Sequence, residues 1–154
     1  MSERSVEHAT FVVERRYDVS PERAFAAWAD PDAKARWFVD SEASLELDFR
    51  VGGRERSRGT APDGNAYSYE ALFHDVVPAQ RIVYTYDMHL KETRISVSLA
   101  TVEFRPVGDD GTRLVYTEQG AFLDDHEFPA RRAEGMGSLL DVLGKELQSA
   151  DPGA

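Results

Sequence analysis

Hydrophobic and polar residues alternate through the middle of the chain, in short runs that turn-forming residues separate. This period of two predicts strands near residues 43–50, 53–60, 66–76, 81–88, 93–105 and 112–122. The turns between them carry Gly52-Gly53, Pro62-Asp63-Gly64, Pro78-Ala79-Gln80 and Gly108-Asp109-Asp110-Gly111. This spacing is typical of antiparallel strands that follow one another across a sheet.

The segments on either side of these strands predict one further strand and three helices. A strand is expected over residues 10–19, and Ser20 then caps a short helix whose first residue is Pro21. Asp30-Pro31 repeats this signal, so a second short helix is expected to end near residue 38. From about 130 to 149 the period becomes helical, and one apolar stripe contains Met136, Leu139, Leu140, Leu143 and Leu147.

The phase of each strand predicts which side chains face the interior. The inward positions carry tyrosines, serines and glutamates among aliphatic residues, which is the usual composition of a specific ligand pocket. We therefore expect a cavity between the sheet and the C-terminal helix. Its candidate ligand-binding residues are Trp37, Glu55, Ser57, Tyr69, Phe73, Tyr84, Tyr86, Met88, Ser98, Tyr116, Glu118, Met136 and Leu140.

Each of these candidates also has a purely structural interpretation. An inward tyrosine can pack as a large core residue while its hydroxyl reaches a backbone partner. Glu118 could be a hydrated carboxylate at the open end of the sheet, and Glu55 could pair with an arginine. Trp37, at the end of the second helix, is expected near the mouth of the cavity, whereas Trp28 is expected in the core.

Composition limits the classes of protein and partner. The 154 residues, 42% of them hydrophobic, predict one domain over 1–154 with its core at about 10–148. The net charge of −10 disfavours nucleic acid and anionic membranes as partners, and Arg50, Arg54, Arg56 and Arg58 are expected on one solvated strand face. With no secretory signal and no span of about 20 apolar residues, a cytoplasmic protein is expected.

The chain lacks the common signatures of catalytic sites. Without cysteine there is no disulfide, thiolate metal site or cysteine nucleophile, and no Gly-x-Ser-x-Gly elbow, His-Glu-x-x-His or phosphate-binding loop is present. The acidic run Asp124-Asp125-His126-Glu127 is interpreted as a solvated loop. We therefore expect no metal and no cofactor.

The order of strand, two short helices, six strands and long helix resembles the helix-grip fold of the START-like superfamily, an α+β fold. Within it the chain resembles the family of activator-of-heat-shock-ATPase homologues. The residues that carry the resemblance over about 10–148 are Val19 to Phe25, Trp28-Ala29-Asp30-Pro31, Trp37-Phe38, Leu47 to Arg54, Pro62-Asp63-Gly64, Pro78 to Tyr84, Thr101 to Phe104, Gly111 to Leu114 and Glu134-Gly135-Met136. The resemblance implies about seven curved antiparallel strands and a long helix covering a cavity.

Three functions remain open at this point. The first and preferred one is binding of a small apolar or amphipathic molecule in the cavity. The second is an enzyme of the polyketide cyclase or hydrolase type, in which Glu118 or Glu55 acts with a tyrosine hydroxyl as acid and base. The third, a partner that activates a chaperone ATPase, is disfavoured because the single domain leaves no room for a separate N-terminal domain. A homodimer stays open.

Overall fold

The structure, a computed structural model, describes residues 4–40, 42–61 and 63–149, so that Pro62 of the predicted Pro-Asp-Gly turn lies outside the described residues. Seven strands and three helices follow in the predicted order. Their bounds are β1 Val6–Tyr17, α1 Pro21–Ala29, α2 Pro31–Phe38, β2 Ser44–Leu47, β3 Arg54–Thr60, β4 Ala66–Val77, β5 Arg81–Leu90, β6 Thr93–Val107, β7 Gly111–Leu123 and α3 Pro129–Ser149.

All seven strands form one curved antiparallel sheet in the order β1-β7-β6-β5-β4-β3-β2. Strands β2 to β7 are a meander, and β1 pairs with β7 at the far edge. The long helix α3 contacts β1, α1 and α2. The predicted α+β helix-grip fold is therefore confirmed. None of the helices within the described ranges combines the length and the apolar composition that crossing a membrane requires.

The helices begin where the sequence predicts. The Ser20 side chain accepts a hydrogen bond from the backbone N–H of Arg23 at 3.2 Å, and Asp30 accepts one from that of Ala33 at 3.1 Å. Because Asp30 ends α1 and caps α2, no linker separates the two helices. The apolar stripe of α3 faces the interior, and the buried Tyr17 hydroxyl donates to the Leu140 carbonyl oxygen at 2.7 Å.

The double glycine lies in the connection between β2 and β3 and joins this connection to β4 through backbone hydrogen bonds. Gly52 adopts a φ of 83°, and a Cβ atom on Gly53 would lie 2.0 Å from the Asp48 carbonyl oxygen. The backbones of Gly52 and Gly53 both hydrogen-bond to Phe73 on β4. Arg50 lies in this connection and pairs with Asp48, so its predicted place on a strand with the other three arginines is wrong.

The other three arginines, Arg54, Arg56 and Arg58, do occupy alternate exposed positions of β3, as predicted.

Several strand limits differ from the predicted ones; β2, for example, ends at Leu47 rather than near residue 50. β1 begins at Val6 rather than near residue 10, because its first residues pair with β7 as far as Leu123. β5 continues to Leu90, and a two-residue turn at Lys91 and Glu92 joins it to β6, with Lys91 at a φ of 56°. No glycine, proline or asparagine marks this turn in the sequence, which is why the prediction ended β5 too early.

The predicted inward phase of the strands is confirmed for the centre of the sheet. Alternate residues along β4 to β7 are buried and form one core with the apolar face of α3. These inward residues include Tyr69, Phe73, Ile82, Tyr84, Tyr86, Ser96, Ser98, Ala100, Val102, Phe104, Leu114, Tyr116 and Glu118.

Candidate functional site

A cavity of about 480 Å³ lies between the first half of α3 and the inner face of the sheet. Strands β3, β4, β5 and β7 form its floor, and the end of α2 closes one side. Seven of the thirteen candidate residues line it: Ser57, Tyr69, Tyr84, Tyr86, Met88, Tyr116 and Met136.

The other six candidates do not line the cavity. Glu55, Phe73, Ser98, Glu118 and Leu140 are buried and do not belong to its lining. Trp37 is not at the mouth as expected. Its ring packs in the core, 4.8 Å from that of Trp28 between centroids, and its indole N–H donates to the Ala27 carbonyl oxygen at 2.9 Å.

Seven lining residues were not among the candidates: Phe38, Tyr67, Glu127, Arg131, Arg132, Gly135 and Leu139. Two of them carry a signal in the sequence. Arg132 precedes Met136 by four residues, which places both on one side of a helix, and Tyr67 shares the inward phase of Tyr69. Glu127 belongs to the acidic run before α3, and its carboxylate pairs with Arg132.

Glu118 is the centre of a buried hydrogen-bond network under the cavity floor. Its Oε2 accepts from the Tyr86 hydroxyl at 2.6 Å, the Ser98 hydroxyl at 2.7 Å and Arg132 Nη1 at 3.3 Å. Its Oε1 accepts from the Tyr116 hydroxyl at 2.6 Å. The side chain is 1% exposed, so the interpretation as a hydrated carboxylate at the open end is wrong.

Arg132 brings a positive charge from α3 to this network. Besides Glu118 it donates to the Tyr86 oxygen at 2.9 Å and to the Ser96 hydroxyl at 2.9 Å, and it pairs with Glu127. Burial opposes its charge, but Tyr86, Glu127 and Glu118 together outweigh burial and raise the pKa of Arg132. The guanidinium is therefore a permanently charged group that fixes the Tyr86 hydroxyl.

A second buried carboxylate, Glu55 on β3, has a different environment. Its Oε1 accepts from Lys34 Nζ at 2.6 Å, and both side chains are at most 1% exposed. The partner is thus a lysine of α2, so the interpretation that Glu55 pairs with an arginine is wrong. Burial lowers the pKa of Lys34, and the charge of Glu55 offsets part of that effect. The Lys34 ammonium also lies 4.4 Å from the centre of the Phe38 ring.

Two buried polar atoms on this side make no hydrogen bond of ordinary geometry among the described residues: Glu55 Oε2 and the Tyr69 hydroxyl, the latter lying near enough to Tyr84 to interact with its hydroxyl. Burial raises the pKa of Tyr69, Tyr84 and Tyr116 well above the usual value, and the same cause raises that of Tyr86. The tyrosines of the cavity are therefore neutral hydroxyl groups at any physiological pH.

The sequence model of the family described as "Activator of Hsp90 ATPase homolog 1-like protein" matches residues 18–148. The chain belongs to this family. None of the curated proteins with which the sequence was compared matches it.

Two rhizobial crystal structures are similar over nearly their whole length. A putative uncharacterized protein from Rhizobium leguminosarum is 42% identical with a TM-score of 0.90, covering 97% of this chain and 100% of that one. A protein from Rhizobium loti is 48% identical with a TM-score of 0.87, covering 92% and 99%. A Chromobacterium violaceum protein, 24% identical with a TM-score of 0.73 over 88% and 95% of the two chains, shares the fold.

Proposed function

We propose that this protein binds one small, largely apolar molecule in the cavity between α3 and the sheet. The volume of about 480 Å³ is within the range of roughly 300–1,000 Å³ that is typical of small-molecule sites. Most of the lining consists of aromatic rings, methionine and leucine, and a few polar groups stand among them. The fold, which the family shares, is compatible with ligand binding.

The observation that carries this proposal is the rigid set of polar groups at one wall. Glu118 and Arg132 hold the Tyr86 hydroxyl from both sides, and Glu118 also holds that of Tyr116. Side chains fixed in this way are preorganised to orient a ligand, at little entropic cost on binding. The Glu118 carboxylate accepts four hydrogen bonds, about as many as it has lone-pair sites, so it has no free site for a substrate proton. This favours an orienting role for Glu118 over proton transfer to a substrate.

The proposal can be tested with an uncharged fluorescent probe, N-phenyl-1-naphthylamine. We expect saturable binding of one probe molecule per chain, measured by fluorescence titration and by native mass spectrometry. Substitution Gly135→Trp should abolish it, because Gly135 is an exposed residue of the cavity lining, where an indole would obstruct entry. The helix should accommodate the new side chain, since no atom lies within 4 Å of the position where a Cβ would stand. Ser98, although a candidate, is a poor site for such a test because its hydroxyl is part of the buried network.

The matched control is Ser138→Trp, which adds the same indole to an exposed position of α3 outside the cavity lining. This variant should bind the probe as the original protein does. Absence of probe binding, or equal binding by the Gly135→Trp variant, would contradict the proposed function.

A further inference from the structure

The two buried carboxylates near the cavity differ in how many donors they have. Glu118 accepts from four donors, which leaves no room for another. Glu55 has one partner, Lys34, and its Oε2 has none among the described residues. A buried acceptor without a partner is costly, and native proteins rarely keep one unless a ligand or water satisfies it.

The Tyr69 hydroxyl is the second unsatisfied group on this side of the cavity. Tyr69 lines the cavity and is 6% exposed, and in the described parts of the chain its hydroxyl makes no hydrogen bond of ordinary geometry, although it lies near enough to the Tyr84 hydroxyl to interact with it. Tyr69 stands opposite Ser57 on β3, and Glu55 lies two residues from Ser57 on the same face. The two groups are therefore diagonal neighbours across β3 and β4.

The charge environment favours a neutral partner for this pair of groups. Lys34 and Glu55 already neutralise each other, so a ligand cation would meet the ammonium and a ligand anion would meet the carboxylate. Glu55 lies two residues from the lining residue Ser57 on the same face of β3, which places its charge close to the cavity wall. Burial is the main cause of the raised pKa of Tyr69 and Tyr84, and the Glu55 charge adds to it. A hydroxyl group can both donate and accept, so it matches a carboxylate oxygen beside a phenol.

We propose that the cavity selects a neutral alcohol or phenol, whose hydroxyl group hydrogen-bonds the Tyr69 hydroxyl and is directed toward the unpartnered oxygen of Glu55. This inference rests on the proposed function and names the ligand class. The apolar body of the ligand occupies the aromatic part of the cavity, where the Tyr69 and Tyr86 rings lie 4.8 Å apart between centroids.

Three naphthalenes of nearly equal size test this selectivity by calorimetric or fluorescence titration. 2-Naphthol carries the hydroxyl, 2-methoxynaphthalene lacks its donor hydrogen, and 2-naphthoate carries a negative charge. We expect 2-naphthol to bind about tenfold or more tightly than either of the others, because one hydrogen bond with a charged acceptor within reach contributes that much. Equal affinity of 2-naphthol and either analogue would overturn the inference.

The variant Tyr69→Phe removes a hydroxyl that makes no hydrogen bond of ordinary geometry among the described residues, so the fold should tolerate it. In this variant the preference for 2-naphthol over 2-methoxynaphthalene should fall to about threefold or less. Tyr17→Phe is the control for loss of a buried tyrosine hydroxyl: it also removes the hydrogen bond to the Leu140 carbonyl oxygen, but Tyr17 lies outside the cavity lining, so the preference should be unchanged. An unchanged preference in Tyr69→Phe would also overturn the inference.

The two proposals fail in different ways. If N-phenyl-1-naphthylamine binds at the cavity and 2-naphthol shows no preference, only the hydroxyl selectivity is wrong. If neither the probe nor any naphthalene binds, the proposed function is wrong and this inference falls with it.

Discussion

Raising the pH above about 10 should unfold this protein cooperatively, because its tyrosines are buried as neutral phenols. Five of the six tyrosines are between 1% and 6% exposed: Tyr17, Tyr69, Tyr84, Tyr86 and Tyr116. Burial is the largest cause that raises the pKa of each above its usual value of 10.0. An unfolded chain regains that usual value.

The sign and size of the effect follow from proton linkage. Below the unfolded pKa both states keep the phenol protons, so stability does not change. Between the unfolded and the raised folded pKa the unfolded state binds fewer protons, and stability falls as pH rises, by about 1.4 kcal/mol per pH unit for each tyrosine. Five tyrosines together remove about 7 kcal/mol per pH unit, which is comparable to the whole stability of a domain, about 5–15 kcal/mol.

Lys34 acts in the opposite direction. Its folded pKa is lowered by burial, so its contribution to stability rises with pH up to the usual value of 10.5 and then stops changing. Above that pH the tyrosines alone set the slope, since one group cannot offset five.

The assay is a parallel titration of tyrosinate absorbance and tryptophan fluorescence between about pH 8 and about pH 12. The buried tyrosines should ionise in one steep step that coincides with loss of the native fluorescence of Trp28 and Trp37. In Tyr69→Phe the step should be shallower by about one fifth, because one of the five phenols is gone. Gradual ionisation of all tyrosines while the fluorescence stays native would refute the reasoning.

Two further predictions concern stability, measured by urea unfolding. Lys34→Met should lower the free energy of unfolding by about 3–5 kcal/mol, because it leaves the Glu55 charge buried without its partner. Adding Glu55→Leu should recover most of this loss. A loss below about 1 kcal/mol in the single variant would contradict the buried pair. Gly135→Ala should stabilise α3 by about 1 kcal/mol, since the added methyl meets no atom within 4 Å, whereas Gly137→Ala should gain less, because its Cβ would lie 2.9 Å from Arg15 Nη2. Equal gains at both glycines would contradict this account.

The sheet could be predicted because strand alternation and turn residues are local signals. Tyr84, Tyr86, Tyr116 and Glu118 have the inward phase that the pattern predicts. The turn at Lys91 and Glu92 could not be predicted in this way, because its own residues carry no turn signal. The pairing of β5 with β6 on either side of it determines its position.

The candidate site was harder to predict, because the positively charged partners of its carboxylates come from the helices. Lys34 stands in the polar segment Asp32-Ala33-Lys34-Ala35-Arg36 and resembles any surface lysine in the sequence. Only packing of α2 against the sheet brings it to Glu55. Arg132 is adjacent to Arg131, and sequence alone does not distinguish the exposed Arg131 from Arg132, which pairs with Glu118 and Glu127.

The contrast between Glu55 and Glu118 shows where the selectivity of such a cavity can reside. Both carboxylates are inward residues of strands and both are 0% exposed. They differ because α3 delivers Arg132 to a glutamate already surrounded by hydroxyl groups, while α2 delivers Lys34 to a glutamate that keeps one oxygen unsatisfied. The sheet therefore supplies the acids, and the helices determine which acid stays available. It follows that relatives with the same strands but other residues at positions 34 and 132 should prefer ligands with different polar groups.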